Sequence, residues 1–274
     1  MNTANTTMST SLPRATAKIV KYELRDVLRS RSLLAYTLFF LAVTDVLLRF
    51  GGGARAALSL MNVVLLLIPL VSIVFGTIYL YNAREFTELL LAQPVHRRQL
   101  FIGQYLGLAL PLSAAFVVGL GIALSFHIGE DPEHLSTLLV VAASGLLLTC
   151  IFSAFAALIV ARIDDKVKGI GVAIGLWLAC TVVYDGLVML GLMAFADYPL
   201  ERAALGAMIA NPIDLARVLI LMRLDVSALM GYTGAVFEKF FGSAGGTALA
   251  SLALVLWTGV PLLLGARRFQ RKDF

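Results

Sequence analysis

Read for apolar and polar positions, the chain is a succession of long apolar runs separated by short charged stretches. Six runs, at about 33–50, 58–80, 100–127, 136–161, 169–195 and 247–266, are each long enough to cross a hydrocarbon layer of roughly 30 Å as a helix. Between the second and third lies a charged island, Tyr81 to Leu100, that cannot sit in hydrocarbon. Its first half, Glu85 to Ala92, is strong helix-forming sequence, and Arg84 and Glu88 are spaced to pair at i,i+4. Pro94 ends that turn, because the residue before a proline is pushed out of helical geometry. Arg97 and Arg98 follow, just ahead of the next apolar run. The pattern predicts a short helix, over about 84–98 with its basic flank, lying across the membrane axis and shaped to press on a soluble partner. An ordinary connecting loop is the plainer alternative.

Ahead of the first run the chain reads KIVKYELRDVLRSR from Lys18 to Arg31. At helical spacing Lys18, Lys21, Arg25 and Arg29 form one stripe and Val20, Leu24, Val27 and Leu28 lie opposite, which predicts an interfacial amphipathic helix over 18–32 resting on the lipid bilayer. Residues 1–17 are polar, rich in Thr, Ser and Asn, and lack the apolar centre of a signal peptide, so they read as a disordered tail. The connection at about 196–246 is too polar to span, yet it carries two helix starts. Asp197 and Pro199 open one. Asn211, Pro212 and Asp214 open another, with Asn as cap, Pro in the first turn and Asp at the positive dipole end. Asp214 and Arg217 are spaced to pair at i,i+3. These helices either fold back onto the ends of the spans or, through Asn211, Asp214 and Arg217, meet an extracytoplasmic partner. Gly242, Gly245 and Gly246 mark a hinge into the last span.

Composition turns this pattern into a class. With 59% hydrophobic and 14% charged residues and a mean hydropathy of +0.89, the chain is too apolar for a soluble domain. The expected fold is an all-α polytopic membrane protein: six transmembrane helices within 33–274, an N-terminal interfacial helix, and short extracytoplasmic helices before the last span. Sixteen of the 22 basic residues fall in the two ends and in the connections after spans two and four, and the connection at 127–135 is acidic. The positive-inside rule therefore places both termini and the 81–99 island in the cytoplasm. The net charge of +5 reflects this bias and does not call for a nucleic-acid partner.

Candidate chemistry is sparse. The sequence holds no GxxxxGK[ST] loop, HExxH, GxSxG or CxxC, so neither an enzyme nor a cofactor-binding chain is expected. Cys150 and Cys180 sit in separate apolar runs and read as small buried hydrophobes. Two acidic residues fall within apolar runs, where ionisable groups are functional candidates by default. Asp45 has Arg49 four residues on as a local partner; Asp185 has none nearby in sequence, and is a candidate for a pathway or dimer interface. Tyr184-Asp185 is half of an intramembrane aspartyl protease signature whose GxGD half is missing. Met189, Met193, Met208, Met222 and Met230, with His127 and His134 on the same side, could ligate Cu(I), but methionine in membrane helices usually just packs, and no metal site is assigned. Gly103/Gly107 and Gly171/Gly175 are expected to let helices approach closely.

Two kinds of motif carry a resemblance. The stretch from Glu88 to Gly107, ELLLAQPVHRRQLFIGQYLG, has an acidic residue before a leucine run and then a proline with arginines, and with the six-span layout it resembles the ABC-2 class of transporter permeases. NPIDLAR at 211–217 and FQRKDF at 269–274 resemble, within that class, the membrane subunits that serve maturation of nitrous oxide reductase. The resemblance runs from about Lys18 to Phe274. It implies a homodimer driven by a separate NosF-type ATPase that binds the ATP and Mg, paired with a NosD-type periplasmic protein, and serving copper–sulfur cluster assembly. It also implies that the 84–98 segment is a coupling helix, with Arg84, Glu85, Glu88, Arg97 and Arg98 as its contacts. Alternatives are export of a drug, lipid or polysaccharide by a permease of the same class, and a mechanical relay that passes no cargo.

Overall fold

The computed structural model describes residues 30–91, 96–127, 132–195, 201–222 and 244–271. Lys18, Lys21, Arg25 and Arg29, with the whole interfacial helix and tail, lie outside the described residues. The described chain is helical throughout: α1 (Arg31–Gly51), α2 (Gly53–Asn82), α3 (Arg84–Leu91), α4 (Arg97–Phe126), α5 (Pro132–Arg162), α6 (Lys166–Leu178), a π-helical turn (Ala179–Val183), α7 (Tyr184–Ala194), α8 (Glu201–Ile209), α9 (Pro212–Leu221) and α10 (Ala244–Gln270). Six of these stretches are long and apolar enough to cross a membrane, α6 to α7 counting as one. Helices are the expected solution, since an apolar solvent leaves every backbone amide to be satisfied within its own segment. Pro69, Pro111 and Pro261 lie inside α2, α4 and α10, each within a helix that continues past it.

Span boundaries fall within a few residues of the expected ones, but three details differ. The 84–98 segment is not one helix: α3 stops at Leu91, and Arg97 and Arg98 open the first turn of α4. The fifth span is interrupted by its π turn. The glycine hinge before the last span is partly inside it, because Gly245 and Gly246 belong to the first turn of α10.

α2 and α5 form the central pair; α10 lies along α5, α1 lies along α4, and α6 leans on α2. Aromatic and glycine contacts knit these together. Phe40 of α1 meets Phe116 of α4 edge-on at 5.0 Å. Gly119 brings the α4 backbone against α1 so closely that a Cβ there would stand 2.6 Å from the Thr37 carbonyl. Gly76 does the same between α2 and both Leu108 and Ala156. Gly103 and Gly107 are buried, but Gly171 and Gly175 meet nothing within 4 Å, because the fifth span is the least covered of the six. Only 6% of its most apolar window is buried, against 50–56% in spans two to four, and α7 has no buried residue at all.

Candidate functional site

Two clusters of polar side chains sit at opposite ends of the bundle. The first is the basic end, where the last turn of α2, α3, the first turns of α4 and α6, and the last turns of α5 and α10 come together. Arg84 makes its expected pair with Glu88 at 3.2 Å, and also reaches across the chain to Asp164, with 3.1 Å to the carboxylate and 3.1 Å to the carbonyl. Lys166 donates to the Asn82 side chain at 2.8 Å, and the Tyr81 hydroxyl donates to the Ile163 carbonyl at 2.8 Å. Tyr81 can lie there because residue 169 is glycine: a Cβ at Gly169 would overlap its ring. Asp165 caps α6 by accepting from the Lys168 amide, and that hydrogen bond holds its carboxyl below the usual range. Arg97 donates to the Gln270 carbonyl at the end of α10.

α3 is pinned to this frame by one side. Thr87 is buried and accepts from the amide of Gln104, a side chain of α4 that is itself buried. At 100° per residue Glu85 and Leu89 fall on the side away from Thr87, with Phe86 on one flank of that face and Glu88 on the other. Phe86 is 48% exposed and Leu89 70% exposed, with Glu85 exposed beside them. Arg84 and Glu88 lie at the flank, and Arg98 is exposed at the start of α4. The charged residues Arg84, Glu85 and Glu88 are thus gathered on α3 as expected, but two apolar side chains that the charge pattern did not single out are exposed among them. Their signal was available: Phe86 and Leu89 stand three apart on a helix whose other face already has its buried residue.

The second cluster joins the fifth span to α9. Asp185, without a partner nearby in sequence, finds one in Arg217 at 3.0 Å. The same Arg217 nitrogen donates to Asp214 at 2.9 Å. Asn211 caps α9 by accepting from the Ile213 amide, and its Nδ2 donates both to Asp214 at 2.8 Å and to the Cys180 carbonyl in the π turn at 2.7 Å. Tyr184 donates to the Ala207 carbonyl of α8 at 2.6 Å. Burial pushes the Asp214 carboxyl up to about 6 against the opposing pull of Arg217, with the Asp185 charge adding to the rise. Asn211 and Asp214 are buried and engaged inside the chain; of the three residues 211, 214 and 217, only Arg217 keeps substantial exposure. A cleft of about 430 Å³, lined among others by Tyr184, Met189, Met193 and Met208, opens beside the cluster. Asp45 stands apart from both clusters, paired with Arg49 at 3.0 Å as its spacing implied. Among the described residues no three His, Cys, Asp or Glu side chains come close enough together to hold a metal ion.

A family model described as ABC-2 family transporter protein matches residues 44–274. A relative from Pseudomonas aeruginosa, called "Probable ABC transporter permease protein NosY", is 30% identical over 272 residues, which cover 93% of this chain and 97% of the relative. A protein of the same description from Stutzerimonas stutzeri is 28% identical over 277 residues with the same coverage. A permease of this kind works with a separate ATPase subunit, which fits the basic end with its outward-facing short helix. The chain is therefore a multi-pass membrane protein of the ABC-2 family of transporters, a NosY-like permease subunit.

Proposed function

We propose that this chain acts as a homodimer in a bacterial inner membrane, basic end and both termini to the cytoplasm. There it couples ATP hydrolysis by a NosF-type subunit to export or relay of a sulfur species, or a copper-related one, to a NosD-type periplasmic protein during copper–sulfur cluster assembly in nitrous oxide reductase. The observation that carries the coupling is α3: braced from behind by Thr87 and Gln104, it offers Glu85, Phe86 and Leu89 to a soluble partner. Exposed aromatic and aliphatic side chains rimmed by charge are the usual anchors of such a contact. The cargo reading rests on the likeness to the two NosY relatives.

In this mechanism ATP closes the partner subunits and carries α3 with them. Because α3 is tied to α4 through Gln104 and to the connection before α6 through Arg84 and Asp164, a push on it reaches spans three and five together. Only contacts that differ between two states can transmit such a push. The combined Glu85→Gln and Glu88→Gln substitutions should uncouple ATP hydrolysis from reductase maturation and leave thermal unfolding unchanged. Phe86→Ala with Leu89→Ala should weaken ATPase binding by about tenfold or more. Unchanged ATPase stimulation and maturation in both variants would remove α3 as the lever.

A second reading draws on the interior. The space between α2, α4 and α5 is filled by fully buried Ile68, Leu108, Leu112, Phe116 and Phe152, which favours a relay that moves the periplasmic partner without passing cargo through one protomer. Accumulation of a sulfur or copper species on that partner, dependent on ATP, decides between the two.

A further inference from the structure

The fifth span is the least covered of the six, and its second half, α7, is held in place largely by polar contacts. Three such contacts run from the π turn and α7 to the α8–α9 hairpin: Asn211 to the Cys180 carbonyl, Tyr184 to the Ala207 carbonyl, and Arg217 to Asp185. π turns inside helices recur at functional sites, and this one separates α6, which packs on α2, from α7, which has no buried residue. The ion cluster is also unbalanced. Two carboxylates, Asp185 and Asp214, share a single guanidinium, so the cluster carries a net negative charge when both are ionised. Asp185 lies 19 residues beyond Lys166, about 28 Å along the helix and so near the far edge of a hydrocarbon layer of roughly 30 Å, where water can reach the cluster.

We propose that Asp185, Asp214 and Arg217 form a one-proton latch: Asp214 holds a proton and leaves the Arg217 charge to Asp185 while α9 holds α7, and the proton passes to water in the adjoining cleft when α7 swings away on the π turn. No covalent bond changes; the proton leaves a carboxyl oxygen for water. The groups packed around the latch leave it this role. α10 carries charge only at its basic end, in Arg267 and Arg268. α2 carries only Arg55, which is exposed, and α5 carries Arg162 at the basic end. Glu133, His134, Glu201 and Arg202 fall outside the described side chains. Asp214, pushed up to about 6 by burial, is the group whose ionisation follows. The latch does not rest on the ATPase-coupled reading and is tested without ATP.

The full-length chain in lipid nanodiscs is titrated from about pH 8 to about pH 4.5, a range that brackets ordinary and raised carboxyl values. Infrared difference spectra follow the carbonyl stretch of protonated carboxylic acid. The chain has two tryptophans, and Trp257 donates to the Ile209 carbonyl at the end of α8, so in a Trp177→Phe variant its emission reports on the hairpin. The expected result, read as the difference between the chain with native carboxyls and the Asp214→Asn variant so that the other 16 Asp and Glu cancel, is one protonated carboxyl per chain, appearing near pH 6 together with an emission shift of the same midpoint. Asp214→Asn should remove both signals. Asp185→Asn, which leaves Asp214 alone with Arg217, should move the midpoint down, because a neighbouring carboxylate that favours protonation is gone. Absence of the band in the chain with native carboxyls overturns the proposal, as does an emission shift that survives Asp214→Asn. If the variants do not fold, coincident midpoints in the chain with native carboxyls support the latch and separate midpoints sink it.

Discussion

The two ends of this bundle use the same residue types in opposite ways. At the basic end, Arg84 is paired twice, with Glu88 and with Asp164, yet both carboxylates are exposed, and the groups that fix the geometry are neutral: Tyr81 on a carbonyl, Thr87 on Gln104. At the far end Arg217 is also paired twice, but Asp214 is buried, and the acids, the amide of Asn211 and the backbone of the π turn are all consumed by one another. Water screens the first set of charges and leaves them available to a partner; burial commits the second set to each other. The charges of the basic end are therefore suited to recognition between chains, and those of the far end to holding one helix of this chain against another.

This contrast can be broken by substitution. Arg217→Ala leaves two facing carboxylates with no cation and should destabilise the fold by about 3 kcal/mol, the low side of the range for breaking a buried pair because the site is partly open. Thermal unfolding in nanodiscs reads it. Gly169→Ala comes next: its Cβ displaces the Tyr81 ring, and overpacking of that kind should cost about 1–3 kcal/mol, with accelerated hydrogen exchange at 163–169 as its signature. A smaller effect is expected from pH. Because the folded-state value for Asp214 is raised above the ordinary 3.8 to about 6, its contribution to stability is complete below the ordinary value and is lost as pH rises through about 6. The melting temperature should thus fall as pH rises from about 3.8 to about 6 and level off above that, and Asp214→Asn should flatten the dependence. Least of all, Arg84→Ala should change stability by no more than about 0.5–1 kcal/mol, as exposed pairs do, while ATPase binding weakens. An Arg84 variant as unstable as the Arg217 variant would erase the distinction between the ends.

Much of this was legible in the sequence because the membrane simplifies the problem. Apolar runs of the necessary length can only be helices, so all six spans fell near their expected places, and local spacing rules found Arg84–Glu88, Asp45–Arg49, Asp214–Arg217 and the Asn211 cap. What the sequence withheld was everything between distant segments. Asp185 meets Arg217 across 32 positions and Tyr81 meets Ile163 across 82, and no periodicity encodes such pairings. The π turn was equally hidden: ACTVV is ordinary apolar sequence, and the extra residue becomes visible only where Asn211 takes a carbonyl from it. The glycine pairs were half misleading for the same reason. Spacing shows that Gly171 and Gly175 share a face, but not that the face is uncovered.

Between the first two spans the chain reverses direction in very little space. Gly52 alone separates α1 from α2, at φ 63°, and Gly53 follows at φ 39°, backbone that side chains rarely tolerate. With no loop to absorb displacement, any tilt of α1 against α2 must be taken up as rotation about this glycine pair, which acts as a fulcrum at the end of the bundle away from α3. β-branched residues there would strain the reversal itself and shift the angle between the two helices, disturbing the fulcrum without any direct contact to α3.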